Sequence, residues 1–317
     1  MKDSQHSLKK SKKKSSRAHF FDIVIILVLL NVSALMVIIF YLQRINSYTL
    51  PKSKTDFVKV SSVPLSLDLN SINASAEAYV VYDASTRTVV AGKNQNLRFS
   101  PASTAKVMTA LIALDYYKLD DYLTIPASVY SAVGSKMHLV PGEEVSVRNL
   151  LYGLMLPSGN DAAYTLAYYY PGGMKGFVDE MNRKAKQLKL TNTHFVDPAG
   201  YEDENYTTAS ELSRLGAKAM ENEELKRIVK TRYIEVTNKT NTHTFYLTNL
   251  NELLMYDNVL GIKTGFTNEA GGVLLTAIRE NNTLFIVTVL KSEDRFFDTK
   301  DLMNFIMEKV YFAIPQG

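Results

Sequence analysis

The sequence has no cysteine among its 317 residues. Thiolate catalysis, disulfide bonds and zinc or iron–sulfur sites built on cysteine ligands are therefore excluded. Histidine is also scarce: the five histidines lie at positions 6, 19, 138, 194 and 243, and no two of them have the spacing of a metal-ligand pair. We therefore expect neither a bound metal nor another cofactor.

Positive charge is concentrated at the N-terminus, although the formal net charge of the whole chain is only +4. Before position 20 there is one acidic residue, Asp3, against seven basic ones: Lys2, Lys9, Lys10, Lys12, Lys13, Lys14 and Arg17. Without this tail the positive excess disappears. The rest of the chain thus offers no basic face for a nucleic acid, and we expect no nucleic-acid partner.

A long uncharged run follows the tail, from Ile23 to Leu42, and only Asn31 and Ser33 interrupt its apolar character. A helix of this length rises about 30 Å, the thickness of the hydrocarbon core of a bilayer. A cleaved secretory signal is the alternative, but it needs a shorter apolar region and a small-residue cleavage site, and residues 40–44 offer no such site. The sequence predicts a transmembrane helix over residues 20–43.

The basic tail, residues 1–19, is expected to stay in the cytoplasm, because positive residues flank the cytoplasmic end of membrane helices. The remainder of the chain would then lie on the outer side of a bacterial plasma membrane, anchored by a single pass. The lack of cysteine fits an extracytoplasmic bacterial protein that avoids oxidation chemistry.

The exported part divides into a polar linker, residues 44–73, and one domain, residues 74–317. The domain begins with two β-rich runs around a polar turn and continues with a block of helices. It then returns to the strands VLGIKTGFT, GGVLLTAIRE and TLFIVTVLK before a last helix near Leu302. The last two strands meet at Asn281-Asn282, which suits a two-residue hairpin turn. This order predicts an α+β fold, an antiparallel sheet flanked by helices.

Three short motifs occur in order in the domain: Ser103-Thr104-Ala105-Lys106, Ser158-Gly159-Asn160 and Lys263-Thr264-Gly265. Each is weak alone, because a serine and a lysine three residues apart occur on many solvated helix surfaces. Together they are a strong signal. Each falls where its chemistry needs it: at a helix start, in a loop between helices, and on a strand.

The first motif predicts a nucleophile with its base. Residues three apart on a helix are about 5–6 Å apart at Cβ, so the Lys106 amine can reach the Ser103 hydroxyl. A lysine acts as a base only when it is neutral. Burial and a second nearby cation, Lys263, are both expected to lower the pKa of Lys106.

The other two motifs supply groups around that pair. Asn160 can orient the amine through its amide oxygen, and Ser158 can relay a proton to a leaving amine. Lys263 and Thr264 can hold a substrate carboxylate, and Gly265 lets the substrate approach the backbone closely. An edge-strand charge that prevents aggregation remains the alternative for Lys263.

These motifs resemble those of the serine D-alanyl-D-alanine carboxypeptidases, the low-molecular-mass penicillin-binding proteins. Longer matches surround them, in PASTAKVMTAL, LMLPSGNDAA, NTHFVDPAGY and GIKTGFTNEAGG. The resemblance runs from about residue 76 to the C-terminus. It implies a penicillin-recognising (β-lactamase/transpeptidase-like) domain that removes the terminal D-alanine from peptidoglycan stem pentapeptides, with β-lactams as covalent inhibitors.

The resemblance also implies a role for each matching residue. Ser103 would be the acyl-enzyme nucleophile and Lys106 the base. Ser158 and Asn160 would form the second catalytic element, and the third would consist of Lys263, Thr264 and Gly265. The oxyanion hole would be the backbone N–H groups of Ser103 and Phe266. Arg295 matches an arginine that helps to hold the substrate carboxylate, and a surface ion pair at the start of a helix is its alternative. His194 is interpreted as packing or loop support rather than as a catalytic group.

The sequence departs from many relatives at two places. They often carry a further β-rich domain and a C-terminal amphipathic anchor, whereas here the N-terminal helix is expected to serve as the anchor. They also often have a His-Tyr pair where this chain has EDENYTT, so the geometry of that loop is left open.

Three alternative functions stay open. The first is DD-endopeptidase activity on cross-linked peptidoglycan, which uses the same site with a longer amine-side substrate. The second is a class A-like β-lactamase, but that enzyme prefers Ser-Asp-Asn in the second motif and needs a loop glutamate to activate water. The third is a non-catalytic cell-wall binding protein, which would have no need of Lys106.

Overall fold

The computed structural model describes residues 25–43, 64–66 and 72–312. The chain separates into two compact units, Met1–Lys59 and Val60–Gly317. The predicted basic tail, the first residues of the predicted span and most of the predicted linker lie outside the described residues.

The first unit contains helix α1, Ile25–Gln43, which is long and apolar enough to cross a membrane. Its mean hydropathy is 2.8 over the best window, and none of that window is buried against protein. At 1.5 Å per residue its 19 residues extend about 28 Å. By length and composition, this helix is compatible with the predicted membrane anchor.

The second unit contains the remaining described helices and strands. The strands are β1 (Pro64–Ser66), β2 (Ala78–Asp83), β3 (Thr88–Lys93), β4 (Tyr122–Thr124), β5 (Glu144–Ser146), β6 (Tyr233–Thr237), β7 (Thr244–Thr248), β8 (Val259–Thr267), β9 (Gly271–Glu280), β10 (Thr283–Ser292) and β11 (Val310–Phe312). The helices are α2 (Lys106–Tyr116), α3 (Val147–Met155), α4 (Asn160–Tyr168), α5 (Gly173–Gln187), α6 (Ala209–Ala219), α7 (Glu223–Lys230) and α8 (Arg295–Lys309).

The central element is a five-stranded antiparallel sheet with the strand order β3-β2-β10-β9-β8. Alternate side chains of its strands enter two different cores, as the two-residue period of a strand requires. Val80 joins the core formed with helices α2 to α7, whereas Val81 packs in the core that contains Leu302 and Phe305 of α8. The sheet is thus covered on both faces, and the α+β prediction is confirmed.

The predicted hairpin between β9 and β10 is present. Asn281 and Asn282 both have positive φ, 47° and 62°, which is the backbone conformation of a type I′ turn and which asparagine tolerates better than most residues. The turn sets the register of the two long strands, so that Glu280 pairs with Thr283.

Some elements were not anticipated from the sequence. β1 lies inside the predicted linker and pairs with β11, with Leu65 opposite Tyr311. Helix α7 has only eight residues and is capped by Asn222, whose side chain accepts from the Leu225 N–H. The hairpin β6–β7 consists of short, half-exposed strands that lack a long apolar run.

Candidate active site

Ser103 lies in a single 3₁₀ turn, Ala102–Ala105, which runs directly into helix α2. Ala102, just before it, is fully buried and has a φ of 44°. A residue other than glycine in this region is strained by about 1–2 kcal/mol. The strained turn leaves Ser103 partly exposed while the first residue of α2, Lys106, has no exposed surface.

The Lys106 amine is within hydrogen-bond distance of the Ser103 hydroxyl, with Nζ 2.8 Å from Oγ. Nζ also donates to the backbone carbonyl of Ala199, at 2.9 Å. Burial lowers the pKa of Lys106 to about 7, and the nearby carboxylates of Asp197 and Asp161 act in the opposite direction. A substantial fraction of the amine is therefore neutral at neutral pH and can accept a proton.

Ser158 and Asn160 lie in the sharp turn that leads into α4. Ser158 has a φ of 67°, and Asn160 begins the helix. The amide nitrogen of Asn160 donates to the Val133 carbonyl at 2.5 Å. Its Oδ1 and the Ser158 Oγ are buried and have no hydrogen-bond partner among the described residues. The expected bond from Asn160 to Lys106 is therefore not formed among the described residues; the Lys106 amine contacts Ser103 and the Ala199 carbonyl instead.

Lys263 and Thr264 are buried on β8, the edge strand of the sheet. Lys263 Nζ donates to the Thr264 carbonyl at 3.0 Å. Burial lowers the pKa of Lys263 well below its usual value, and the positive charges of Lys106 and Arg295 lower it further. The structure thus brings the first and third motifs into one pocket.

Gly265 brings the strand against the nucleophile turn. A Cβ at this position would lie 3.0 Å from the Ala102 Cβ and 3.2 Å from the Ser103 backbone nitrogen. A side chain here would therefore press on the serine. Phe266, the next residue, is exposed and lines the open cleft between residues 201–203 and residues 266–269.

Arg295 is the first residue of α8 and lies beside the same strand. Its Nη1 donates to the Gly265 carbonyl at 3.1 Å, and its Nε is buried without a partner in the described chain. Burial lowers the pKa of this guanidinium, which nearby acids oppose. Arg295 makes no ion pair with another described residue, so its position differs from the surface-pair alternative.

The sequence motifs did not identify the turn that follows β-bridge residue His194, residues 197–201. It supplies the Ala199 carbonyl, and Thr109 of α2 donates to its Pro198 carbonyl at 2.6 Å. Gly200 has a φ of 70°, and a Cβ there would lie 2.0 Å from the Ala102 carbonyl oxygen. The signal in the sequence was the stretch DPAGY, in which the glycine marks this close approach. His194 pairs with Tyr206 through the backbone.

The chain is similar to known proteins over most of this second unit. Residues 65–294 match the family model described as D-alanyl-D-alanine carboxypeptidase, Peptidase S11. The D-alanyl-D-alanine carboxypeptidase DacF of Bacillus subtilis is 33% identical over 221 residues, which are 68% of this chain and 57% of that protein. The D-alanyl-D-alanine endopeptidase of Escherichia coli is 33% identical over 251 residues, 76% of this chain and 80% of that protein.

Solved structures give the same result. The crystal structure of the Streptomyces K15 DD-transpeptidase matches with a TM-score of 0.70 and 35% identity, over 74% of this chain and 97% of that one. The fold is therefore that of the penicillin-recognising DD-peptidases, as the sequence predicted. The family match covers more than two thirds of the chain, and the fold and the order of the motifs agree with it. The chain therefore belongs to the D-alanyl-D-alanine carboxypeptidase family.

Proposed function

We propose that the protein is a serine DD-carboxypeptidase that removes the terminal D-alanine from peptidoglycan stem pentapeptides. The observation that carries this proposal is the Ser103–Lys106 pair: a hydroxyl 2.8 Å from a fully buried amine whose pKa is about 7. A neutral amine at this distance is a general base for a serine nucleophile.

In the acylation step the Ser103 oxygen attacks the carbonyl carbon of the scissile D-alanyl-D-alanine bond while its proton passes to Lys106. The oxyanion of the tetrahedral intermediate accepts hydrogen bonds from the backbone N–H groups of Ser103 and Phe266. As the C–N bond breaks, the proton passes through the Ser158 hydroxyl to the leaving amine. The products are free D-alanine and an ester on Ser103.

In the deacylation step, water enters the place that the D-alanine has left. Lys106, neutral again, takes a proton from this water as its oxygen attacks the ester. The ester C–O bond breaks and the proton returns to Ser103. The unpartnered Oδ1 of Asn160 is an acceptor available to a group on this path.

The substrate carboxylate is held by the cations beside β8. Lys263, Arg295 and the Thr264 hydroxyl supply charge-assisted and neutral hydrogen bonds to it. The buried Arg295 Nε, which has no partner among the described residues, is one donor available for this purpose. The carboxylate in turn offsets the repulsion between the two cations, which favours acids over neutral substrates.

Helix α1 anchors this domain in the bacterial plasma membrane with the active site on the outer side. Its length and hydropathy suit one crossing, and the lysine-rich residues before it favour a cytoplasmic N-terminus. Peptidoglycan lies on the outer side, where the domain can reach it.

Incubation with a muramyl pentapeptide tests the activity. The full-length protein in detergent is expected to release one D-alanine per peptide, detected by mass spectrometry, and the Ser103→Ala variant is expected to release none. Intact pentapeptide after prolonged incubation with wild-type protein would contradict the proposal.

Endopeptidase action on cross-linked peptides is a second candidate, favoured by an open cleft next to β8. The cleft has a volume of about 550 Å³ and lies between residues 201–203 and residues 266–269. A cleft of this size at the end of β8 can admit a branched peptide. Cross-linked muropeptides in the same assay decide between the two: cleavage into monomers at a rate above D-alanine release would make the endopeptidase reaction the main one.

A further inference from the structure

Asp197 is a buried carboxylate in the same turn as Ala199, whose backbone carbonyl accepts a hydrogen bond from Lys106. Only 5% of the residue is exposed. Its oxygens accept from the backbone N–H groups of Ala199 at 2.6 Å, Tyr201 at 3.1 Å and Glu202 at 2.9 Å. They also accept from the Asn205 side chain at 2.6 Å. None of the three sequence motifs contains this residue, and the reaction proposed above does not use it.

Through these hydrogen bonds, one carboxylate holds the backbone of the turn, residues 197–202, in place. The result is that the Ala199 carbonyl faces α2 and accepts from Lys106 Nζ at 2.9 Å. The turn is fastened to the same helix by Thr109, which donates to the Pro198 carbonyl. The position of the Ala199 carbonyl, and with it one of the two directions in which the amine is held, therefore depends on Asp197.

Three charged groups face Lys106 from the elements packed around it. Asp197 does so from the turn, Asp161 from α4 and Lys263 from β8. Asp161 is also occupied, since it accepts from the backbone N–H groups of Met137 and Leu139. Burial lowers the pKa of Lys106, and of the two carboxylates that oppose this effect Asp197 has the larger influence.

A buried lysine without such a carboxylate would be neutral, but it would also be a poor base. The strength of a general base rises with its pKa, and the best catalytic pKa lies near the working pH. Burial alone can lower the pKa of a lysine by 3–5 units or so, to about 5–6. A nearby negative charge offsets part of that loss.

We infer that Asp197 is a positioning residue for the general base: its carboxylate holds the turn that presents the Ala199 carbonyl to Lys106, and its negative charge keeps Lys106 basic enough to take the Ser103 proton. This inference rests on the proposed function, in which Lys106 is the base.

The test is the pH dependence of the second-order rate constant for acylation of the full-length protein by a fluorescent penicillin. The variants Asp197→Asn and Asp197→Ser remove the charge, and Asp197→Glu keeps it. The matched control is Asp83→Asn. Asp83 is also a buried carboxylate that accepts from the turn following it, at Ser85 and Thr86, but it lies at the end of β2 that is remote from the active site.

In either charge-removing variant, the acid limb of the profile is expected to move to lower pH by about 1 unit or more, since a neighbouring opposite charge shifts a pKa by this amount. The plateau rate at high pH is expected to fall by up to roughly 10-fold per unit of pKa lost, because a weaker base accepts the proton less well. Asp197→Glu should return the limb toward the wild-type pH. Asp83→Asn should leave limb and plateau unchanged.

A purely structural role would lower the plateau without moving the limb. A folded charge-removing variant whose limb stays at the wild-type pH therefore overturns the inference, with folding checked by thermal unfolding. If neither variant folds, the wild-type profile decides. Its acid limb is expected near pH 7, and a limb about 2 units lower would mean that no carboxylate raises the pKa of Lys106. Absence of wild-type labelling at every pH would instead refute the proposed function.

Discussion

Lys106 and Lys263 are two buried lysines in one pocket, and the positive charge of Lys106 lowers the pKa of Lys263 beyond the effect of burial. Burial likewise lowers the pKa of Lys106. Two ammonium groups are therefore costly together in the free pocket, and Arg295 adds to that cost. A substrate carboxylate beside Lys263 favours its protonated form and leaves Lys106 as the neutral base. The same pocket can then contain both an acid-binding cation and a proton acceptor.

Loss of the base should slow acylation strongly. Replacement of Lys106 by alanine is expected to lower the acylation rate by about 10²–10⁴-fold, the usual contribution of general base catalysis. Lys106→Arg is the matched control, because it keeps a positive charge but cannot accept a proton at neutral pH. In the wild type, the rate should rise with pH through about 7, as Lys106 loses its proton. Stopped-flow acylation over a pH series measures both effects, and near-normal activity of Lys106→Arg would exclude Lys106 as the base.

Lys263 should act on carboxylate-bearing substrates. Its replacement by alanine removes a charge-assisted hydrogen bond of about 1.5–3 kcal/mol, which corresponds to a rise in KM of roughly 10–100-fold for peptides with a free carboxylate. Turnover of neutral esters that lack the carboxylate should be largely retained. Parallel kinetics on an acid and its neutral ester make the comparison. Equal losses on both would assign Lys263 a different role.

The sequence predicts most of the fold because its long strands and helices are regular. VLGIKTGFT and GGVLLTAIRE coincide with β8 and β9, since both are long runs that are buried over most of their length and lie between turn residues. Short elements were missed for the opposite reason. α7 and the hairpin β6–β7 have too few residues for a period to be visible, and they are stabilised by packing against the rest of the domain.

The candidate site could be predicted only as far as motif spacing reaches. The closeness of Ser103 and Lys106 follows from their separation along one turn of helix. The carbonyl of Ala199 is a backbone group 93 positions away from Lys106 in the chain. No pattern of side chains in the sequence predicts that this carbonyl contacts the amine. The unpartnered Oδ1 of Asn160 could not be predicted either, because motif spacing does not show which groups the Lys106 amine contacts.

Gly200 is expected to tolerate no side chain. An alanine there would adopt an unfavourable positive φ, and its Cβ would lie 2.0 Å from the Ala102 carbonyl oxygen, next to the nucleophile. We expect Gly200→Ala to lower the melting temperature and the acylation rate together. Gly142→Ala is the matched control, because Gly142 also has a positive φ, 88°, but nothing lies within 4 Å of its Cβ position. It should lose about 1 kcal/mol of stability and no activity. Normal acylation by Gly200→Ala would contradict the close contact between the turn and the nucleophile.

The membrane orientation can be tested with intact cells. Protease added to spheroplasts is expected to remove the catalytic domain, because the lysine-rich residues before α1 favour a cytoplasmic N-terminus. An epitope tag at the N-terminus should remain protected until the membrane is opened with detergent. Protection of the domain together with loss of the tag would reverse the orientation.

Penicillin should form a stable acyl-enzyme with this protein. A penicillin has a carboxylate beside a strained amide, so Ser103 can open the ring with the same base and oxyanion donors that act on a peptide. The ring-opened amine stays attached over the ester, where free D-alanine would depart. In a class A-like β-lactamase a loop glutamate would activate water, but here the loop next to Lys106 presents the Ala199 carbonyl, which cannot accept a proton. Asp197, on the same loop, is occupied by its hydrogen bonds to the turn.

A fluorescent penicillin should therefore label the wild-type protein through denaturing electrophoresis, and Ser103→Ala should remain unlabelled. Rapid hydrolysis of the penicillin without a stable label would favour β-lactamase activity, and labelling of Ser103→Ala would place the nucleophile elsewhere.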